Sequence, residues 1–422
     1  MPAATVPEPD RRRYGTGTAW QVLGRLVHGL SALAALTLLT RELGVAAVGV
    51  YASFFQLLMT LEVLVDGGSA LALLRRSSRE PAAFRAVLAQ AFRLRALLAG
   101  CGLALFLLYA RLQDPEALGN PWLYAAGASL FAQTAGAAGI AFHLRLEFGI
   151  LAAVRSAGAL LGLLLLALLL RSGFHDPFLL LAATACGRAA VQGGTFLAAL
   201  PLLRRWPGGE PAPPGYVRES LTLGAGNLLR DAYGRVDLLL LRALAGETAA
   251  GLYAPAKAAL QLALMLPSYV LTVALPRLSA DAGRDPAAFH CRLRDLARTF
   301  TAIAWPAALL ALPLPPLLLP LLFGPDYSEA AGALRILGGA AALAWTGSVF
   351  VTGLIAAGRA REVLRLSALG LALDLALCLA AIPALGLEGA AGARLATEAL
   401  VLLLAWRELR RLPRGAAAVT PG

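Results

Sequence analysis

Twelve stretches of this chain stay mostly apolar for about 20 residues or more, the length an α-helix needs to cross the hydrocarbon of a bilayer. They fall near 17–40, 45–66, 86–110, 121–142, 148–170, 177–203, 217–241, 250–275, 296–322, 331–357, 363–384 and 387–406. Inside hydrocarbon the backbone must satisfy its own hydrogen bonds, so each stretch is expected to be helical. Composition points the same way. Of 422 residues 59% are hydrophobic and 15% charged, whereas a water-soluble domain carries about 25% charge. Too little polar surface is left to clothe a soluble fold, and a soluble core of this size would outgrow the roughly 250–300 residues at which single cores stop growing. The expected class is an all-α integral membrane protein.

A net charge of +12 would suggest a nucleic-acid partner for a soluble chain. Here the charges lie between the apolar runs, and no nucleic acid is expected. Every basic residue but Lys257 is arginine. With the N-terminus taken as inside, the inside segments hold 23 arginines and the outside loops only Arg41, Arg111, Arg171 and Arg242. Positive residues collect on the cytoplasmic side of membrane helices, so twelve transmembrane helices with both termini cytoplasmic are expected. The first run is too long for a signal-peptide core and is read as a retained helix. Cys101, Cys186, Cys291 and Cys378 lack CxxC spacing, and His143, His175 and His290 lack metal-ligand spacing, so no disulfide, metal or cofactor is expected.

One Pro- and Gly-rich stretch at mid-chain reads as a linker. It divides the chain into a disordered N-terminus at 1–16, an N-lobe at 17–203, a cytoplasmic linker at 204–216, a C-lobe at 217–406 and a cytoplasmic tail at 407–422. Each lobe holds six spans. Gly49-Val50-Tyr51-Ala52 follows Arg41 as Gly251-Leu252-Tyr253-Ala254 follows Arg242, an echo at the same loop of each half. Two such copies running the same way imply a pseudo-twofold along the membrane normal. Two bundles facing each other across a central cavity would make an alternating-access carrier.

Leu39-Thr40-Arg41-Glu42-Leu43-Gly44, Asp66-Gly67-Gly68, Arg235-Val236-Asp237, Pro276-Arg277-Leu278-Ser279, Phe323-Gly324-Pro325-Asp326-Tyr327 and Gly386-Leu387-Glu388-Gly389, with Ala396-Thr397-Glu398, follow one another in an order that resembles the polysaccharide-biosynthesis, or O-antigen, flippases. These belong to the multidrug/oligosaccharidyl-lipid/polysaccharide exporter superfamily, and the resemblance covers about residues 17–406. It implies a MATE/flippase-like fold in a bacterial cytoplasmic membrane. It also implies the cargo, an undecaprenyl-diphosphate-linked oligosaccharide moved from inner to outer leaflet for cell-surface polysaccharide, with membrane lipids and a polysaccharide polymerase as partners.

A charge at mid-membrane costs about 2.5–3.5 kcal/mol on insertion scales, so charges there are functional candidates. Gln21, Arg25 and His28 share one helical face of span 1, where a diphosphate entering from the cytoplasm would meet Arg25 early; the plainer reading is that Arg25 snorkels to the interface. Arg230 is the better ligand candidate in span 7, where Asp231 and Arg235 can pair at i, i+4. Lys257, with Gln261 one turn deeper, is set to receive a head group late in transit, or else to pair with Asp237 or Glu398. Arg394 and Glu398 form a further i, i+4 pair. Asp374 stands alone among Leu and Ala and could take up a proton or Na⁺, or neutralise an arginine opposite, so Asp237, Asp374 and Glu398 are read as ion-coupling or charge-balancing. Arg93 and Arg95 are expected at the interface, and the prolines of span 9 (306, 313, 315, 316, 320) to kink it.

Seven buried basic residues against four acids favour an anionic cargo over the cationic drugs of a cation-coupled multidrug exporter, which is the alternative. A peptidoglycan-precursor flippase would carry two further helices. A lipid-dependent glycosyltransferase or ligase would need paired outer carboxylates, and Asp114-Pro115-Glu116 reads as a solvated turn. The chain is therefore not expected to be an enzyme.

Overall fold

A computed structural model describes residues 11–145, 147–206, 211 and 214–412, and in the first helix the side chains at Gly24 and from Val27 onward. Residues 1–10, most of the expected linker (207–210, 212 and 213), the tail from 413, and the side chains of Gln21 and Arg25 lie outside that set. The described chain is all helix and turn, without a strand.

It opens with α1 (Arg11–Glu42), which takes in residues 11–16, and returns as α2 (Val45–Asp66); α3 (Ser69–Arg79) and α4 (Phe84–Gln113) follow. The stretch expected to span at 121–142 is divided into α5 (Pro121–Ala128), α6 (Ala132–Gly136) and α7 (Ile140–Arg145) by tight 3-10 turns. Next come α8 (Phe148–Arg171), α9 (Pro177–Arg205), α10 (Tyr216–Tyr233), α11 (Val236–Arg284), α12 (Pro286–Ala311), α13 (Pro315–Phe323), α14 (Ala331–Ala356) and α15 (Ala360–Arg410). Several starts are written locally. Asn120, Asp176 and Asp285 each precede a proline and accept hydrogen bonds from the first free amides of α5, α9 and α12, the cap-then-proline order that suits a helix N-terminus.

By length and hydropathy seven helical stretches of the described residues can cross a membrane, and eight if α12 and α13 count as one bent span. That pair turns by 76°. Pro313, Pro315 and Pro316 remove three amide donors within four residues there, the expected kink of span 9. Two helices are far longer than a bilayer is thick, α11 with 49 residues and α15 with 51. Each is broken by a glycine in the left-handed region, Gly246 (φ 87°) and Gly386 (φ 54°), a conformation that costs a residue with a Cβ. Both breaks fall between expected spans.

Span 7 differs from expectation. The stretch 217–241 is not one helix: α10 stops at Tyr233, the chain turns through Gly234 and Arg235, and α11 starts at Val236. Hydropathy misses such a break because leucines resume at once; Gly234 between charged residues marks it.

Packing divides the chain into two compact units. The first comprises residues up to Leu38 with Leu58–Leu228, the second Leu39–Leu57 with everything from Leu229. Against the linker-based lobes, 39–57 groups with the later residues and 217–228 with the earlier ones. In the first unit Phe84, Val87, Leu88, Trp206 and Tyr216 form a core. Trp206 donates to the Pro81 carbonyl at 2.9 Å and Tyr216 to that of Ser69 at 3.0 Å, so both ends of the linker are seated on the α3–α4 corner. In the second unit Leu278, Phe289, Phe300, Val349 and Leu366 form the core. There the echoed motifs meet: a Cβ on Gly49 would overlap the Glu247 carbonyl, and one on Gly251 the Val45 carbonyl. The two segments cross backbone to backbone, as small residues in membrane helices allow.

Candidate functional site

The first unit gathers its charge around α2 and α9. Arg188 of α9 grips Glu62 of α2 through two hydrogen bonds, one of them 2.8 Å from Nε. Arg188, Arg155 of α8 and Glu62 all lie within electrostatic reach of His28 of α1, and Gln192 donates to Gln133 at 2.6 Å. A second knot corrects an expectation. Arg93 is exposed as an interfacial residue should be, but Arg95 is 5% exposed, pairs with Asp66 and donates to Ser69 Oγ at 2.7 Å and the Gln133 carbonyl at 2.9 Å. Two residues apart on a helix, the side chains point some 200° away from each other; hydropathy averages over that difference.

The second unit buries a denser cluster where α10 gives way to α11. Asp237 is fully buried and sits in the first turn of α11, accepting from the Leu238 amide at 2.9 Å, Tyr253 OH at 3.0 Å and Lys257 Nζ at 2.5 Å. Tyr253 is the tyrosine of the echoed motif. Arg394 reaches across from α15, donating to the Tyr233 carbonyl at 2.6 Å, pairing with Glu398 at 2.6 Å and lying 4.0 Å over the Tyr233 ring. The carbonyl that the helix break leaves without its own amide is thus capped by a guanidinium. Asp374, fully buried on α15, accepts from Thr397 Oγ1 at 3.3 Å through Oδ1, and its Oδ2 has no hydrogen-bond partner among the described residues. Asp237, Lys257 and Arg394 all lie within its electrostatic reach.

Of the seven basic residues expected inside spans (Arg25, Arg155, Arg188, Arg230, Arg235, Lys257 and Arg394), four hold carboxylates: Arg188 with Glu62, Arg235 with Asp231, Lys257 with Asp237, and Arg394 with Glu398. The basic excess counted along the sequence shrinks accordingly. Glu62 was there to be found, as a single acid inside an apolar run, by the same rule that picks out Asp374. Gln261 lies 3.5 Å from Gln56, which also accepts from Arg235 at 2.8 Å. Lys257, 1% exposed, has the paired alternative of its two readings. Arg230, at the end of α10, is exposed, as is His28. Arg242, read as an outside-loop residue, is buried against Phe54 and bonded to Glu247 and Ser53. Among the described residues no three His, Cys, Asp or Glu side chains converge as metal ligands.

Known proteins share this architecture. An inward-facing multidrug-resistance MATE-family transporter of the MOP superfamily superposes with TM-score 0.71 at 17% identity, covering 91% of this chain and 94% of that one. The lipid II flippase MurJ, in an inward closed conformation, gives TM-score 0.72 at 12% identity over 94% of this chain and 88% of its own. A MOP-superfamily transporter from Pyrococcus furiosus, described by the reverse polarity of its binding pocket, gives 0.64 at 14%, with 93% of each chain covered. At these identities the likeness is one of fold. No curated protein matches the sequence significantly. The sequence profile of the polysaccharide biosynthesis proteins matches residues 14–280, well over half of the chain and most of the ordered motifs: the chain belongs to the polysaccharide biosynthesis protein family.

Proposed function

We propose that this protein is a flippase that carries a lipid-linked oligosaccharide across a membrane by alternating access and makes or breaks no covalent bond. The observation that carries the reading is family membership over residues 14–280 in a fold shared, over 94% of the chain, with a lipid II flippase. In its finer form the cargo hangs on undecaprenyl diphosphate, moves outward across the bacterial cytoplasmic membrane, and passes to a polymerase. Twelve spans, in lobes at 17–203 and 217–406 with the linker and both termini cytoplasmic, are supported by the arginine asymmetry and by the Gly386 break, which divides α15 into two bilayer-length pieces. Diphosphate carries about two negative charges, and an inside-negative potential favours outward movement by about 2.3 kcal/mol per charge per 100 mV.

Gln21, Arg25, His28, Arg230 and Gln261 are assigned to the head group's path. Lys257 joins them only when Asp237 releases it. Asp374, with its spare oxygen, is the ion-coupling carboxylate, and Asp237 and Glu398 balance the cations beside it. The test is transport of labelled lipid-linked oligosaccharide in proteoliposomes: Arg25→Ala with Arg230→Ala is expected to abolish export at normal protein level, and undiminished export would refute the assignment. The fold likeness to a MATE transporter favours multidrug export as the second reading, which requires efflux of cationic dyes by the same vesicles.

A further inference from the structure

Among the described residues, the buried cluster of the second unit is one positive charge short. It holds three carboxylates, Asp237, Asp374 and Glu398, and two cations, Lys257 and Arg394. Lys257 lies 2.5 Å from Asp237 and Arg394 2.6 Å from Glu398, so an ionised Asp374 is left over. The other titratable groups there are Tyr233 of α10, Tyr253 of α11 and Cys378 of α15, and none of them supplies a positive charge. α14, packed against α11 and α15, brings only Arg335, which is bonded to the Leu312 carbonyl. A lone charge out of water is costly enough that the group neutralises instead. One cation therefore has to reach Asp374.

The hydrogen count says which. Thr397 has one hydroxyl hydrogen and two acceptors in reach, the Ala393 carbonyl at 2.8 Å and Asp374 Oδ1 at 3.3 Å. The nearer carbonyl takes the larger share, so an ionised Asp374 is poorly supplied at Oδ1 and has no hydrogen-bond partner at Oδ2 among the described residues. With a proton of its own on Oδ1, Asp374 donates to Thr397 and Thr397 donates undivided to Ala393. A hard metal cation gathers several oxygens, and no three acidic, His or Cys side chains converge among the described residues.

The two aspartates within electrostatic reach of Lys257 are supplied unequally. Besides the lysine, Asp237 keeps the Leu238 amide at 2.9 Å and Tyr253 OH at 3.0 Å. It also sits in the first turn of α11, where the helix dipole favours negative charge. Asp237 can stand without its lysine; an ionised Asp374 has nothing comparable.

Resting on the flippase reading above, we propose that the ion coupled to transport is a proton bound to Asp374, and that on its loss Lys257 crosses from Asp237 to Asp374. The O–H bond of Asp374 breaks, the proton passes to water as the cluster opens during the cycle, and the ammonium meets the charge left on the carboxylate. The uncompensated negative charge moves to Asp237, at the break between α10 and α11.

The test reads the carboxylic-acid C=O band of the full chain in proteoliposomes, without cargo, by infrared difference spectroscopy, the band being identified by its shift in deuterium oxide. At neutral pH it is expected in the wild type and lost in Asp374→Asn, and sodium chloride at constant pH leaves it unchanged. A wild type without the band, an undiminished band in Asp374→Asn, or its loss on adding sodium overturns the proton. Asp237→Asn sets the lysine free and is expected to abolish the Asp374 band. Asp237→Asn with Lys257→Met removes both charges of the pair and is expected to restore it. A band unmoved by Asp237→Asn, or missing from the double variant, overturns the exchange. Sugar transport that answers an imposed sodium gradient and ignores a pH gradient sinks the proton site and spares the flippase. The expected bands in a protein that moves no sugar sink the flippase and leave a proton site with its lysine switch.

Discussion

Asp374 is the residue whose chemistry the surroundings leave most open. Lys257 and Arg394 are each committed to another carboxylate, and Thr397 serves only one of its oxygens. Asn has the same shape and cannot take up a cation in place of a lost charge. Asp374→Asn is therefore expected to fold normally and still bind cargo, while transport loses its response to an imposed ion gradient; a variant that keeps that response removes Asp374 from coupling. Arg95 supports a sharper expectation about stability. Breaking a buried ion pair by removing one partner costs about 3–5 kcal/mol, and with the Asp66 side chain still 33% exposed the low end, about 3 kcal/mol, applies. Arg95→Met should lower the unfolding midpoint clearly in a thermal-shift assay and Arg93→Met should not. The i, i+4 pairs, Asp231 with Arg235 and Arg394 with Glu398, were legible because one helix sets their spacing. Glu62 with Arg188 was not, since 126 residues separate them and only the packing of α2 on α9 makes them neighbours.

Among the helices, the breaks matter as much as the runs. Prolines 313, 315 and 316 announced the α12–α13 bend, because each removes a donor that the helix cannot replace. The interruption between α10 and α11 was hidden by flanking leucines and is held open by Arg394 on the Tyr233 carbonyl. Crossing points between helices obey a stricter rule than either. At Gly251 any side chain would run into the Val45 carbonyl, which is backbone and cannot rotate aside. Gly251→Val is expected to lower the yield of monodisperse protein on size-exclusion chromatography severalfold, and Gly49→Val likewise. Gly392, with open space around its Cα, should accept alanine without loss.

For the molecule as a whole, run length carried the fold class. Apolar stretches of bilayer length leave the backbone one way to satisfy itself, so the helical class followed from the sequence. Packing units did not: the boundary runs through α2 and α10 instead of the Pro-rich linker, because contact across space decides it. The arginine bias makes a topology expectation. A fluorescent protein fused at either end should be bright, and a periplasmic phosphatase fused there inactive; fusions at Gly119 and Gly173 should give the opposite pattern. An active phosphatase at the C-terminus would mean an odd number of crossings.

The crossing of the two echoed motifs also bears on how such a chain can change over generations. Each glycine rests on a carbonyl from the other copy, so neither position has a side chain to give up when its opposite number gains one. Drift at one site finds no compensating partner at the other. Homologues aligned in depth should thus keep both hydrogens while the leucines around them vary, and an ancestral duplication would leave its most durable trace at this pair.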